Sequence, residues 1–509
     1  MSPVRRRYRR DERGYVIALT ALLMVPLLVI SAFAVDLSSF YVRAAKLQRA
    51  AEAAALAGVV WMPNMITASA VAMDAAAANG ITPSASLTVT TSPVPGNPHQ
   101  LRVTITDSAV PQYLSDAFQS GVTITRSATA EYEQPIPMGS PMNYFGTGNL
   151  NNGFPPAENV WAAVSGWCSA KENGDIRLAG FDNAYNGSGY DCSAVNGTIN
   201  NPDAAATGYL YAIEVPSPAP TSIGVQVYDA AYYASGSAAD RALISGAQVT
   251  TTYQIRDANG PPQNAFAHSV MTTLTLATGA AGYQNAWATV GTINNPCAGC
   301  TYYLQVQTTA GQTNSAATNS YALRTTSNGT YTACSSIPGS TNPPYSSSCV
   351  RIYPYREMSI FNNLSGSVAS FYLADIGPTY AGKTININLF DVGEGASTIE
   401  VLNPNGSAVS FDWSMPCNPP APATGGCTGT AATSINPGVN NANQPYSRTA
   451  SRFVYNDRMV TLRVELPTNY VAQFGTNTWW RIRYTVGTSP SDRTTWSVGV
   501  EGSPVHLVE

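Results

Sequence analysis

Charge is scarce in this chain: Asp, Glu, Lys and Arg make up 11% of its 509 residues, against roughly 25% in an average soluble domain. Polar character comes instead from Ser, Thr, Asn and Gln, which suits an extracytoplasmic β-rich protein. Histidine is nearly missing. His99, His268 and His506 are the only three, none in an H-E-x-x-H or Cys-His zinc spacing, and no G-x-S-x-G elbow occurs. No nucleophile, base or metal constellation is visible, so an enzyme is not expected, nor a cofactor. The net charge of −4 includes six arginines within the first 13 residues. The remainder is therefore mildly acidic and has no basic stripe for phosphates, which argues against nucleic acid as a partner. Cysteine is absent from the first 167 residues, and all eight lie beyond them.

What is present at the N-terminus sets the topology. Tyr15 to Val35 is an uncharged run of 21 residues (YVIALTALLMVPLLVISAFAV), enough to cross about 30 Å of hydrocarbon as a helix. Arg5, Arg6, Arg7, Arg9, Arg10 and Arg13 precede it, while Asp36, Arg43, Lys46, Arg49 and Glu52 mix signs after it. The positive-inside rule then places residues 1–13 in the cytoplasm and the rest outside, in a single-pass cell-membrane protein. Pro26 removes one hydrogen bond mid-span, a defect that membrane helices absorb.

A rival reading takes the run as a cleavable signal peptide, since Ala32-Phe33-Ala34 fits a small-x-small cleavage pattern. The run is longer than a signal core, and helical periodicity continues past it. Leu37, Phe40, Tyr41, Ala44, Leu47, Ala51, Ala54, Ala55 and Gly58 recur at three- and four-residue steps. The pattern predicts one helix over residues 14–60, half in lipid and half projecting, as in a pilin.

The residues from Arg13 to Gly58 carry a family resemblance. Arg13-Gly14 before the span, Val35-Asp36 at its exit, and Leu47-Gln48 followed by alanine-rich 50–57 with the single acid Glu52 resemble the N-terminal Tad module of TadG-like proteins in Flp (Tad) pilus assembly. The resemblance covers the first 135 residues at most. It implies a membrane-anchored, non-catalytic component of pilus assembly whose partners are the membrane and other Tad/Flp proteins or pseudopilins. The sequence departs from related patterns twice. Processed prepilins and TadE-type pseudopilins carry a glutamate five residues after the cleaved glycine, where this chain has Leu19, so cleavage at Gly14 is not expected. The Asp-x-Ser-x-Ser metal motif of longer TadG-like chains is also missing.

Beyond the helix, residues 68–79 read as a short helix closed by Gly80, and Leu87-Thr91, Leu101-Thr106 and Val122-Glu131 as strands, with Gln112-Gln119 as another helix. Residues 61–135 thus form a small α/β pilin-like module. The proline-rich stretch around 134–141 places a linker at 136–155. Thereafter the chain shows short alternating runs with Gly, Pro and Asn-Gly turns, the pattern of β-sandwiches. Two blocks look alike: Gly208-Glu214, Ile223-Asp229 and Tyr253-Gly260 parallel Ser370-Asp375, Ile385-Asp391 and Ile399-Gly406. The fold class is therefore mainly β behind an N-terminal helix, with tandem sandwiches at 156–330 and 351–509 and a Cys-containing loop at 331–350.

Candidate chemistry is thin. Gly377-Pro-Thr-Tyr-Ala-Gly-Lys-Thr384 satisfies the phosphate-loop pattern, but a period-two strand, Ile-Asn-Ile-Asn-Leu-Phe, follows where a helix is required. An interstrand loop is the expected structure. Asp391 and Glu394 in Asp-Val-Gly-Glu-Gly offer carboxylates to Ca²⁺, with a solvated turn as the alternative. Trp413, Trp479, Trp480 and Trp496 suggest a sugar-stacking platform or, more simply, core. A membrane-tethered adhesin or glycan-binding module is the alternative function. An even cysteine count confined to the oxidising side predicts disulfides between nearest neighbours, Cys168-Cys192, Cys297-Cys300, Cys334-Cys349 and Cys417-Cys427.

Overall fold

The computed structural model describes residues 13–62, 64–95, 97–113, 121–139, 141–146, 159–183, 199–233, 240–261, 264–334, 349–363, 368–392, 396–416, 427–436, 455, 458–486, 491–502 and 504–508. The chain divides into two compact units, Met1–Gln134 with Ser503–Glu509, and Pro135–Gly502.

The first unit is built on helix α1, Arg13–Val59, which runs through Pro26 without a break. Its 47 residues span about 70 Å at 1.5 Å per residue. Helix α2, Met65–Ala78, starts three residues before the predicted point because the Asn64 side chain caps it, accepting the Thr67 N–H at 3.3 Å. It ends in a Schellman turn: the Gly80 N–H donates to the Ala77 carbonyl at 2.9 Å and the Ile81 N–H to the Ala76 carbonyl at 3.0 Å, with Gly80 at φ +75° and Ile81 buried. Strands β1 (Leu87–Val94), β2 (Asn97–Val110) and β3 (Val122–Tyr132) form an antiparallel meander over the predicted segments. Of the expected helix at Gln112-Gln119, residues 114–119 lie outside the described residues.

Small side chains let this unit pack tightly. Leu47, Ala50, Ala51, Ala54, Ala55 and Val59 of α1 meet Ala68, Ala72 and Ala76 of α2 and the inward residues of β2 and β3. The predicted apolar face is corrected at its lower end: Leu37 and Tyr41 are 54% and 70% exposed, because they lie at the margin of a packed stripe centred on Asp36, Ala44 and Leu47. The C-terminal residues are corrected as well. Val505–Leu507 pairs antiparallel with β3 as the fourth strand of this sheet, so residues 503–509 belong to the first unit and not to a second sandwich. A three-residue strand whose partner lies far away in the sequence leaves no local signal.

The second unit is a duplicated β-sandwich. The first repeat comprises β4 (Asn159–Ser165), β5 (Tyr209–Glu214), β6 (Ser222–Tyr228), β7 (Thr251–Arg256), β8 (Trp287–Asn294), β9 (Thr301–Thr308) and β10 (Ala317–Ser327). The second comprises β11 (Glu357–Asn363), β12 (Val368–Asp375), β13 (Thr384–Phe390), β14 (Ala396–Leu402), β15 (Met459–Glu465), β16 (Trp479–Val486) and β17 (Ser491–Val500). In the first, the sheets run β8-β6-β10-β4 and β7-β9-β5; in the second, β15-β13-β17-β11 and β14-β16-β12. The orders are identical under one-to-one substitution, and the three sequence blocks that look alike occupy equivalent strands. The match extends to the backbone. Asp229 and Asp391 follow equivalent strands at φ +54° and +55°, and their N–H groups donate to Ala286 and Arg458, each the residue before the neighbouring strand, at 3.2 and 3.0 Å.

The leading strands β4 and β11 pair antiparallel, which joins the repeats through one continuous sheet. Inward residues alternate as period two requires. Ile385, Ile387 and Leu389 face Ile399, Val401, Trp480, Ile482 and Tyr484 across the second sandwich, and one contiguous core draws buried apolar side chains from both repeats, with smaller clusters such as that around Trp161 and Tyr228 beside it.

Two boundaries shift. The expected linker at 136–155 is structural where it is described: Ile136 and Met138 are buried, Gly139 N–H donates to the Leu373 carbonyl at 2.9 Å, and Tyr144–Phe145 pairs with β10. The prolines removed the helical pattern but left Ile136 and Met138 at period two, which was enough to bury them. Residues 147–155 of that stretch lie outside the described residues. Arg351–Pro354 pairs with β5 in the first repeat, so the second repeat begins at Glu357, not 351.

Candidate functional site

Of the residues singled out by the family pattern, Asp36, Leu47, Gln48 and Glu52 lie on the projecting half of α1, and each makes a specific contact within its own unit. Asp36, the residue that follows the apolar run, is 1% exposed, and one of its carboxylate oxygens accepts the Tyr113 N–H at 2.8 Å. Two turns on, Arg43 Nε donates to Asp107 Oδ2 at 2.8 Å, and Asp107 lies at the end of the β2 region that pairs with β1 and β3. Leu47 is fully buried in the alanine-rich core. Gln48 Nε2 donates to Glu52 Oε1 at 2.9 Å and to the Ser127 carbonyl on β3 at 3.3 Å. Arg13 and Gly14 open the helix.

These contacts assign the motif a mechanical role. A helix that leaves the bilayer has an exposed backbone cylinder and no neighbour, so its direction relative to a following domain is undetermined unless side chains fix it. Asp36, Arg43, Leu47 and Gln48 supply four attachments over about 18 Å of helix, two of them through charged groups, where hydrogen bonds are the stronger kind. Sequence reasoning found Asp36, Leu47 and Gln48 but missed the role of Arg43 and all of the partners. Tyr113 contributes through its backbone N–H, which no side-chain pattern reports. Asp107 sits in a Thr-Asp-Ser stretch with nothing to mark it.

The remaining candidates fare differently. Asp391 is buried at φ +55°, and Glu394 lies outside the described residues; among those described, no three His, Cys, Asp or Glu side chains stand close enough to share a metal ion. The Gly377–Thr384 segment is a loop with a single 3₁₀ turn at Pro378–Tyr380, and Thr384 opens strand β13, so no helix N-terminus faces the loop. Trp479, Trp480 and Trp496 are buried at 4%, 1% or less, while half-buried Trp413 packs edge-on against Tyr455. These four tryptophans therefore build core and do not form a sugar platform. Cys297–Cys300 and Cys334–Cys349 are disulfides. Cys168 and Cys427 are disulfide-bonded too, and Cys192 and Cys417, expected opposite them, lie outside the described residues.

Two buried charge sites were not anticipated. Asp175 is 1% exposed and accepts the N–H groups of Ser165 and Leu178, both at 2.9 Å, and the Tyr209 hydroxyl at 2.7 Å. Burial pushes its carboxyl up, and those donors partly offset the rise. Arg351, 6% exposed, pairs with Glu214 and lies 3.6 Å from Asp375. Burial raises Asp375, against the opposing pull of Thr478 and Arg351.

Comparison with known proteins adds three findings. No curated protein matches the chain. Among solved structures, the N-terminal CBM22-1-CBM22-2 tandem domain of Paenibacillus barcinonensis Xyn10C is similar at 12% identity, with 72% of this chain and 98% of that chain covered and a TM-score of 0.14, a likeness that carries no argument. Residues 14–79 match the family described as putative Flp pilus-assembly TadE/G-like, the segment that holds α1, its fastening residues and α2. The chain carries an N-terminal Tad module.

Proposed function

We propose that this protein is a single-pass, non-enzymatic component of Flp/Tad pilus assembly, with residues 1–13 in the cytoplasm and the duplicated β-sandwich outside. The observation that carries this reading is the coincidence of the family match at 14–79 with a helix that is apolar and unburied over Tyr15–Val35 yet fastened to its own unit from Asp36 onward. Uncharged, unburied and mostly apolar side chains along 21 consecutive positions have no soluble rationale, since burial of one large aliphatic side chain is worth about 1.5–3 kcal/mol. Lipid is the solvent that removes this penalty. The arginine excess at the N-terminal end supports the orientation, and disulfides in the second unit support an oxidising compartment.

The role follows from this arrangement. The helix-to-sheet junction holds the sheet of the first unit at a defined angle to the membrane helix, which is what an assembly platform must offer to pseudopilins or other Tad proteins beside it. Mild detergent extraction followed by affinity capture of the full chain tests the partnership. Tad/Flp proteins should co-purify, and should be lost when Asp36 and Arg43 are both replaced by alanine. Capture of the intact chain without any of them would contradict the reading.

A further inference from the structure

Apolar side chains of α1 continue past the end of the membrane run. Leu37, Tyr41 and Val42 are 54%, 70% and 69% exposed, and the Tyr113 side chain is 68% exposed. Leu37 and Tyr41 are four residues apart and so share a helix face, and Tyr113 is held at the same level by its backbone bond to Asp36. Successive residues rise 1.5 Å, which puts Leu37 to Val42 about 3–10 Å above Val35. The interfacial layer on each side of the hydrocarbon is roughly 5–7 Å thick, and helix tilts average about 20°.

The polar groups of this stretch are already satisfied on the protein. Ser38 Oγ donates to the Ala34 carbonyl and Ser39 Oγ to the Asp36 carbonyl, both at 2.8 Å, and Asp36 is buried under the Tyr113 N–H. Contact with lipid would therefore strand no donor or carboxylate.

We propose that Leu37, Tyr41, Val42 and Tyr113 form a collar seated in the outer interface of the bilayer, so that the first unit rests on the membrane surface. The occupant is the phospholipid headgroup and upper acyl region. Continuity with the Tyr15–Val35 span places these residues there, and tyrosine, with an apolar ring and a polar tip, is the side chain that this layer accepts. The inference rests on the membrane anchoring proposed above, and the test separates the two.

The full chain is reconstituted into phosphatidylcholine vesicles with or without bromine on the upper acyl chain. Tryptophan is introduced singly as Tyr41→Trp, Tyr113→Trp or Ile66→Trp. The native tryptophans all lie at residue 61 or beyond and are subtracted with the unsubstituted protein. Ile66, 86% exposed, follows the far end of α1, which at Val59 is about 36 Å above Val35. The emission added at 41 and 113 should fall about twofold or more in brominated vesicles, and the emission added at 66 should not change. Flotation of the chain with the vesicles, together with equal brightness at 41 and 113 in both lipids, overturns the collar and leaves the anchor standing. Failure to float overturns the anchor. Emission at 41 that is shielded from water but unquenched, and that shifts with protein-to-lipid ratio, overturns the collar in favour of contact between copies of the chain.

Discussion

Arg351 stands opposite Glu214 in the cross-strand register and also reaches Asp375 at 3.6 Å, so one guanidinium joins the acidic residues that close equivalent strands, β5 and β12, of the two repeats. Replacement by methionine keeps much of the stem and removes the charge. Loss of one partner of a buried pair costs about 3–5 kcal/mol, and the partial exposure of Glu214 reduces this to about 2 kcal/mol.

The pH dependence of that loss has a defined sign. Burial already raises Asp375 above its unfolded value. Its contribution is therefore most favourable below the ordinary aspartate range and declines as pH rises through the raised value. Without Arg351 the rise is larger. The gap in urea midpoint between wild type and Arg351→Met should be small near about pH 4 and widen toward about pH 7. A gap that is constant across this range would rule out the bridging role.

At Gly58, α1 comes close to its neighbours. A Cβ there would lie 2.6 Å from Leu101 Cδ2, 2.7 Å from the Ala68 carbonyl oxygen and 2.9 Å from Ala72 Cβ. The carbonyl belongs to the helix backbone and cannot rotate away. Gly58→Ala should lower stability by about 1–3 kcal/mol, read as a drop in Tm of the detergent-solubilised chain, whereas Gly121→Ala, which meets nothing within 4 Å, is strained only by its backbone angle and should cost less.

Asp36 separates a charge effect from a hydrogen-bond effect. Asp36→Ala removes the acceptor of the Tyr113 N–H and should cost about 1–3 kcal/mol; Asp36→Asn keeps a carbonyl acceptor and should cost less than half as much. Proteolysis within residues 114–120, which follow Tyr113 in sequence, reports the difference in the solubilised chain. Equal cleavage of both variants would show that the charge, not the bond, fastens the helix.

Non-reducing peptide mapping of the whole chain should return Cys297–Cys300 and Cys334–Cys349, observed here, and Cys168–Cys192 and Cys417–Cys427. A link from Cys168 to Cys417 would contradict the nearest-neighbour rule from which all four were read.

Much of the first unit was legible in the sequence because its signals are local. The apolar run, the alanine stripe through Gly58, the Gly80 stop and three alternating strands each act within a few residues, and each element formed where its pattern lay. The repeat in the second unit was legible for the same reason: Tyr228-Asp229 and Phe390-Asp391 repeat a strand end whose left-handed backbone Asp tolerates. What escaped was non-local. Val505–Leu507 finds its partner across the whole chain, Ile136 and Met138 are buried despite their prolines, and Arg351 meets two carboxylates far apart in sequence. The candidate site was half legible, since Asp36, Leu47, Gln48 and Glu52 could be named from the family pattern, but the role of Arg43 and the partners Tyr113, Asp107 and Ser127 could not.

The central claim is that an anchored chain serves pilus assembly, and the most direct measurement is the amount of Flp pilin in the fraction sheared from cells. Deletion of this gene should abolish the sheared pilin, and the full chain should restore it. A version that replaces residues 1–35 with a cleaved signal peptide, and so exports residues 36–509 without the anchor, should not. Undiminished pilin in the deletion, or full restoration by the unanchored version, would contradict the account.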